Sequence, residues 1–389
     1  MIRFLTAGES HGPALLGILD GVPAGLPLVA ESINTQLHRR QQGHGRGDRM
    51  KIERDTVEIL GGVRYGHTTG APIGLMIRNA DWENWKDKLS TEPPNYPTEP
   101  LTMPRPGHAD YAGALKYRHT DIRNVIERSS ARETAMRVAI GAICRELLSQ
   151  FNIVVASHVV RIGDIFSNLE TTLKPSAMNA LADASPVRCL DEITATEMMR
   201  EIDRCKQSGD TLGGEFAVHI APVPVGLGSY VQADRRLDGI LAGAILSIPA
   251  IKAVSIGNTA TTSLKGSEFH DRIFPENSQR IKRITNRAGG IEGGITNGEE
   301  IFLRVTMKPL SSLGQPLESV DLSTGTPTVA IRERSDVCAV PAAAVVAENI
   351  ISIELANVLL EKIGGDSLEE MKSHYKSWED KWDTFSSQG

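Results

Sequence analysis

The chain has 389 residues, a formal net charge of −6, and 40% apolar, 23% charged and 5% aromatic side chains. This is the balance of an ordinary globular protein, and it excludes the general basic excess of a duplex-binding chain, so any cationic site must be local. The four cysteines, Cys144, Cys189, Cys205 and Cys338, lack C-x-x-C spacing, which excludes a zinc site built on cysteine pairs and points to reduced, cytoplasmic thiols.

The N-terminal MIRFLTAGESHG has no apolar signal-peptide core, and no run of 18 apolar residues marks a membrane span. Ile2–Thr6 and Leu15–Leu19 are predicted as short strands around the polar turn GESHGP. Ile33 and Leu37 predict a helix over 31–42, stopped by the glycine-rich loop 43–47. Residues 50–79 read as strands broken by Gly61, Gly62, Gly66 and Gly70. Six prolines between 93 and 106 predict a loop without regular structure, functional or mobile. Ser130 and Glu133 form an S-x-x-E capping box for a helix over about 131–149, with an apolar face of Ala135, Met136, Val138, Ala139, Ile140, Ile143 and Leu147. Further helices are expected at 195–207 and 235–247, with a strand at 215–227 between them. A last helix starts at Pro341 and stops at Gly364–Gly365, and a polar, mobile tail follows from 366. Val22-Pro23-Ala24-Gly25-Leu26 recurs as Val223-Pro224-Val225-Gly226-Leu227, and Thr69-Gly70-Ala71-Pro72-Ile73 loosely as Asn297-Gly298-Glu299-Glu300-Ile301. Two matches in one order point to a duplicated β–α unit; the alternative is chance likeness between Gly/Pro turns.

Six loop segments carry the candidate chemistry. Ser10-His11 lies between glycines, where the backbone can approach a ligand and an imidazole can move a proton near neutral pH; the alternative is a surface-loop histidine. RRQQGHGRGDR gathers Arg39, Arg40, Arg46 and Arg49 with His44, and guanidinium forks suit carboxylates and phosphates, although a solvated charged turn reads the same way. RPGHAD sets Arg105 and His108 after the proline-rich loop, as part of a site or as a rigid connector. Glu127-Arg128-Ser129-Ser130-Ala131-Arg132 stands at a helix start, which favours an anion, or needs Ser130 only as a cap. NRAGGIEGG, from Asn286 to Gly294, offers its main chain to a flat ring or phosphate, or is a flexible turn, and Lys308-Pro309-Leu310-Ser311-Ser312 follows it. Arg334-Ser335-Asp336 precedes the last helix; a carboxylate there would stay ionised and could act as a base, or the segment only connects a strand to a helix. Together these segments predict a pocket for a compact polyanion worked by acid–base chemistry.

GESHGP, RRQQGHGRGDRMKIE, RNADWENW, RPGHADYAGALKY, DIRNVIERSSARET, NRAGGIEGGITNG and RERSDVCAVPA follow one another as in chorismate synthase, and the chain resembles that family from residue 2 to about 363. The resemblance implies an α/β (α+β) fold, a β-α-β-α layered sandwich with an internal pseudo-twofold repeat. It implies one catalytic domain over 1–365, a polar tail over 366–389, and assembly as a homotetramer without nucleic-acid or membrane partners. The implied reaction converts 5-enolpyruvylshikimate 3-phosphate to chorismate and phosphate by trans 1,4-elimination. It needs reduced FMN without net redox change, and NADPH would act only indirectly, through flavin reduction. The resemblance carries substrate contacts onto Ser10, Arg40, Arg46, Arg49, Arg105 and Arg132. It carries flavin contacts onto Arg128, Ser129, Ser130, Pro249, Ala250, Gly293, Lys308, Pro309, Leu310, Ser311, Ser312 and Arg334. Its implied catalytic groups are His11, which protonates the departing phosphate, His108, which keeps the reduced flavin productively protonated, and Asp336, which helps remove the ring proton. Two positions depart from the family's commonest pattern: Asp48 weakens the positive potential of the arginine loop, and Pro249 removes a side-chain bond to flavin, leaving the backbone of Ala250.

Two other readings remain. A flavin-dependent oxidoreductase acting on a phosphorylated acid would reduce its substrate. An anion- or RNA-binding module using RRQQGHGRGDR would lose affinity steeply with salt.

Overall fold

A computed structural model describes residues 1–47, 54–93, 98–169, 173–259, 262–276 and 281–382. Strands β1 (Arg3–Ala7), β2 (Ala14–Asp20), β3 (Val57–Gly61) and β6 (Ile73–Arg78) form an antiparallel sheet in the order β1-β2-β6-β3. Helix α1 (Ala30–Gln41) joins β2 to β3, and a hairpin of β4 (Val63–Arg64) and β5 (His67–Thr68) joins β3 to β6. The chain then passes through α2 (Asp110–Tyr117) and α3 (Arg123–Ser129) into α4 (Thr134–Ser149).

The second half repeats this plan with additions. Strand β7 (Val154–Ile162) turns into the short β8 (Ile165–Phe166), and α5 (Pro175–Ala184) and α6 (Glu192–Gln207) follow and pack against β7 and β8. Strand β9 (Gly214–Ala221), helix α7 (Leu237–Leu246) and strand β10 (Ile251–Ile256) come next. Strands β11 (Ile273–Pro275) and β12 (Ile281–Arg283) form an added hairpin, and β13 (Ile291–Glu292) with β14 (Ile295–Thr296) forms the counterpart of β4–β5. Strand β15 (Ile301–Met307) completes a sheet ordered β10-β15-β9-β7-β8, and the chain passes a hairpin of β16 (Glu318–Val320) and β17 (Pro327–Val329) before α8 (Val340–Ile363). The antiparallel orders β1-β2-β6-β3 and β7-β9-β15-β10 thus match strand for strand, with α1 answering to α7 and α4 to α8.

The duplicated turns match atom for atom. Thr68 Oγ1 donates to Pro23 O at 2.6 Å and accepts from Leu26 N–H at 2.9 Å. Thr296 Oγ1 donates to Pro224 O at 2.6 Å and accepts from Leu227 N–H at 2.8 Å. The two echoes in the sequence are therefore the two ends of one repeated staple, in which a buried hydroxyl satisfies turn groups that no sheet reaches.

Helices α4 and α8 lie side by side in the layer between the sheets. Both are apolar around most of their circumference, as a helix enclosed on all sides must be. By length and composition α8 is the one described helix that could cross a membrane, yet it is buried inside the fold. The two helices meet so closely at Gly141 that a Cβ there would collide with the Asn349 carbonyl. Helix α8 also carries the fully buried Glu348, whose carboxylate accepts from Arg39 of α1 (2.7 Å), Arg145 of α4 (3.1 Å), Arg188 (3.0 Å) and Ser157 of β7 (2.5 Å). Burial alone would raise its pKa, but the three guanidinium groups hold it down to about 2. Gly364, at φ 61°, ends α8 and donates its N–H to Leu360 O at 2.8 Å.

Three expectations need correction. Of the tail expected over 366–389, residues 368–382 form a helix and 383–389 lie outside the described residues: α9 (Leu368–Trp382) buries Leu368 and Met371 and packs Tyr375 and Trp378 on the core, because its apolar residues recur at helical spacing. The S-x-x-E box is only half made. Ser130 Oγ accepts from Arg132 N–H at 3.3 Å, while the Glu133 side chain pairs with Arg137 at 3.4 Å and a short 3-10 turn over Ala131–Glu133 precedes α4. The strand expected over 215–227 ends at Ala221, where Pro222 and the stapled turn take over.

Gly141→Ala is expected to lower unfolding stability by about 1–3 kcal/mol through overpacking. Gly243→Ala, in α7 with open space around its Cβ, should instead gain about 0.5–1 kcal/mol. Urea unfolding of the two variants checks the contrast. Because the folded pKa of Glu348 lies below its ordinary value of 4.5, its network stabilises fully above that pH and is lost as pH falls toward about 2. Glu348→Gln should flatten the acid limb of stability over that window, and at pH 7 it should cost about 3–5 kcal/mol by leaving buried guanidinium groups short of charge.

Candidate active site

Two long connections cross the N-terminal ends of α4 and α8. One follows β6 and the other follows β15, at equivalent places in the two repeats. They are stitched together by Leu322 N–H to Thr102 O (2.9 Å), Ile331 N–H to Met103 O (3.2 Å) and Ser319 Oγ to Pro104 O (2.6 Å). A second small core of Ala114, Ile122 and Ile126, joined by Leu101 and Ile331, supports them. Between these connections and the helix ends lies a cavity of about 490 Å³, within the range of small-molecule sites. Ala131, Arg132 and Thr134 line it at the start of α4, and Ala339, Ala342, Ala343 and Val346 at the start of α8. Two helix N-termini thus add positive potential to one space.

Six basic side chains line the cavity: Arg40, Arg46, Arg105, Arg132, Lys308 and Arg334. Against them stand two lining carboxylates, Glu333 and Asp336. Arg40, at the end of α1, donates to Thr134 Oγ1 and Ala131 O, both at 3.1 Å. Its Nη1 lies 3.7 Å from Asp55 and has no hydrogen-bond partner among the described residues. Asp55 is also taken by Arg132 Nη1 at 2.7 Å, while Arg132 Nε and Nη2 donate to Asn79 Oδ1 at 3.1 and 2.8 Å. Burial, countered by Asp55 and reinforced by Arg132 and Arg46, brings Arg40 down to about 10, so it remains a cation at neutral pH. Arg46 pairs with Asp336 at 3.0 Å, and Gly47 N–H donates to the same carboxylate at 2.7 Å.

Each lining histidine has Nδ1 on a buried carboxylate. His11 Nδ1 lies 3.0 and 3.1 Å from the Glu127 oxygens, and its ring stacks on Trp85 with centroids 3.9 Å apart. His108 Nδ1 lies 2.6 Å from Asp110 Oδ1, and Arg105 Nε binds the other Asp110 oxygen at 2.9 Å. Burial opposes ionisation of Asp110, but the His108 and Arg105 bonds hold its carboxyl well below the usual carboxylate range. Arg105 Nη1 reaches Ser312 Oγ at 2.7 Å, across the two connections. Asp81 accepts from Asn84 (2.7 Å), Arg334 (2.6 Å) and the Trp85 indole (3.2 Å). Those bonds outweigh burial and hold it at about 2.

The remaining wall is apolar or small: Ile248, Pro249, Ala250, Met307, Leu310 and the α8 alanines. Ala250 sits at φ 68°, a left-handed conformation that L residues seldom adopt, and accepts Lys308 N–H at 2.9 Å. Burial and the nearby Lys252 lower the Lys308 pKa; its ammonium donates to Gly107 O at 3.0 Å.

The cavity brings together Ser10, His11, Arg40, Arg46, Arg105, His108, Ser129, Ser130, Arg132, Pro249, Ala250, Lys308, Leu310, Ser311, Ser312, Arg334 and Asp336. Arg49 and Asp48 lie outside the described residues. Arg128 turns away to Thr6 O (3.0 Å), Thr6 Oγ1 (2.8 Å) and Gly8 O (3.1 Å) beside β1, and neither it nor Pro309 lines the cavity. Gly293 forms the β13–β14 turn, also outside it. The glycine-rich NRAGG run is a structural turn in this chain: Asn286 binds Glu300 O (2.7 Å) and Gly290 N–H (2.8 Å), and Gly289 packs against Gly257. Arg39 belongs to the Glu348 cluster and His44 pairs with Asp203 at 2.8 Å. Sequence reasoning assigned no role to Asp55, Asn79, Asp81, Trp85, Asp110 or Glu127. Asp110, two residues after His108, was the one locally visible partner.

A layered α/β fold with a duplicated plan, and a cation-lined cavity that holds two carboxylate-bound histidines where the connections of both halves meet, are the features of an α/β enzyme. The sequence model of the chorismate synthase family matches residues 2–360. A chorismate synthase of Desulforamulus reducens is 52% identical over 381 residues, covering 97% of this chain and 98% of its own. One from Pelobacter propionicus is 51% identical over 387 residues with the same coverage. A solved chorismate synthase structure aligns with TM-score 0.80 and 40% identity over 99% of both chains. The chain belongs to the chorismate synthase family. Its activity is the family's: a carbon–oxygen lyase reaction that eliminates phosphate from 5-enolpyruvylshikimate 3-phosphate to give chorismate, the last common step toward the aromatic amino acids. The family works with reduced flavin.

Phosphate at 10–100 times its Kd should raise the unfolding free energy by about 1.4–2.7 kcal/mol. Arg40→Met should abolish that gain. Thermal unfolding with and without phosphate checks both.

Proposed function

We propose that this cavity is where the elimination takes place. The observation that carries the reading is the convergence of six cations, two of them around Asp55, on a space shared by His11 and His108. Buried charge must be matched, and a substrate with one phosphate and two carboxylates supplies what two lining acids lack. Arg40, Arg46, Arg105 and Arg132, with Ser10, bind and orient it; the undescribed Arg49 is proposed beside them.

The residues present fit an FMN. Six cationic side chains against two carboxylates suit a phosphate-bearing group, and Ala250, Ala339, Ala342 and Ala343 give a low, apolar wall that a flat ring can lie on. Ser129, Ser130, Lys308, Ser311, Ser312 and Arg334 would hold its polar parts, with the Pro249–Ala250 backbone beside them. A reduced flavin held there would supply electron density for the breaking C–O bond. His11 gives a proton from Nε2 to the departing phosphate. His108, tied through Nδ1 to Asp110, sets the protonation of the bound cofactor. Asp336, paired with Arg46 at 3.0 Å, takes part in removing the ring proton. The stitched connections cover part of the cavity, and less water there would strengthen each of these terms.

NADPH acts, in this reading, indirectly, through reduction of the flavin. Four buried, free cysteines support a reducing, cytoplasmic setting. The outer face of the first sheet exposes Leu5, Leu16, Ile18 and Leu60, which supports self-association into a homotetramer.

Anaerobic incubation with the substrate and chemically reduced FMN is expected to yield phosphate and chorismate in equal amounts with no net flavin oxidation. Oxidation in step with product would favour the oxidoreductase reading. His11→Ala and His108→Ala should each lose at least about tenfold in turnover while keeping their circular dichroism. Wild-type turnover in both would remove the assignments.

A further inference from the structure

The segment RNADWENW and the residue Glu127 have no part in the reading above, yet they surround its proposed acid. Glu127, on α3, is buried and accepts the His11 backbone N–H at 2.9 Å as well as the ring Nδ1 at 3.0–3.1 Å. It is thus matched to one residue by three contacts across 116 positions of sequence. Trp85 covers the ring with an interplanar angle of 20°. The indole is itself fixed by its N–H to Asp81, which also holds Arg334.

We propose that Glu127 is the positioning residue of His11, with Trp85 as the plate that stops the imidazole from turning. This deepens the proposed function and rests on His11 being the acid. Burial alone would favour the neutral form of Glu127, but the bonds from His11, with help from Arg123, hold it below its ordinary pKa. A carboxylate only accepts hydrogen bonds, so Nδ1 carries a proton and proton exchange falls to Nε2. When Nε2 gives its proton to a phosphate oxygen, the imidazolium becomes neutral imidazole, Nδ1–H stays on Glu127, and the carboxylate gains nothing. The ring is thereby oriented in both protonation states.

The charges around the ring do not duplicate Glu127. Arg123, on the same helix, lies 3.4 Å from Glu127 and 2.8 Å from Glu333, which offsets it. Lys88 and Arg123 lie over the Trp85 ring, 5.2 and 5.3 Å from its centroid. The cations Arg40 and Arg132 line the same cavity, with Asp336 as its further acid. Among the described residues, Glu127 is the carboxylate that contacts the imidazole.

The test is turnover against pH for Glu127→Gln, Glu127→Asp and His11→Ala, with the double variant His11→Ala/Glu127→Gln. Glu127→Gln should lower kcat about 10–100-fold with little change in KM, the usual effect of losing a carboxylate behind a functional histidine. The loss of activity at high pH should begin about one unit lower, because the imidazolium has lost its counter-charge. Glu127→Asp should recover part of both effects, and the double variant should be no slower than His11→Ala alone. A kcat loss with an unmoved pH profile, or one that multiplies with His11→Ala, would overturn the proposal. If His11→Ala turns over normally, the acid assignment falls first, and that result is distinct from failure at Glu127. Should Glu127→Gln not fold, ¹⁵N NMR of histidine-labelled wild-type protein decides. The resonance missing in His11→Ala must show a protonated Nδ1 and a bare Nε2 at high pH; the opposite tautomer overturns the proposal.

Discussion

Asp55 is one carboxylate between two buried guanidinium groups, and much of the site follows from that shortage. Inside a protein an unmatched cation is expensive, so Arg132 leans on Asn79 and Arg40 on a threonine hydroxyl and a carbonyl. One buried Arg40 nitrogen, Nη1, has only Asp55 at 3.7 Å beside it among the described residues. The Glu348 cluster gathers three guanidinium groups on one acid as well, with Asp183 and Ser157 as further partners, and its carboxylate is fully buried. The first sets two cationic side chains on the wall of a cavity that a ligand can enter. The second is a closed joint that fixes α1, α4, β7 and α8 to one another.

Much of the fold was legible because glycines, prolines and apolar spacing announce turns and helices. The repeat was visible at the stapled turns, where Pro23 and Pro224 and Gly25 and Gly226 keep the same backbone requirements. The helix after 366 was hidden by composition: its surface is polar, while Leu368, Met371, Tyr375 and Trp378 recur at steps of three and four that periodicity would have revealed.

The site was legible as a set of motifs and not as a set of contacts. Arg39 and Arg40 are adjacent in sequence, yet successive residues on a helix project about 100° apart. One reaches Glu348 and the other Asp55. Glu127 stands within a motif that drew attention to its serines and arginines, and its partner His11 lies more than a hundred positions away. Pairings of that kind are made by the crossing of the two connections over the helix ends, which no local spacing encodes.

The duplicated architecture has a consequence for how such a protein can arise. A single half, with its four-stranded sheet and one apolar helix, would leave that helix bare where the other now covers it. Half a chain of this kind could be stable only by pairing with a twin. The cleft at the helix ends would then have straddled a true dyad, with equal groups on both sides. Joining the twins into one polypeptide freed the two sides to diverge, so that histidines and most arginines could settle on one and the Asp336 carboxylate on the other.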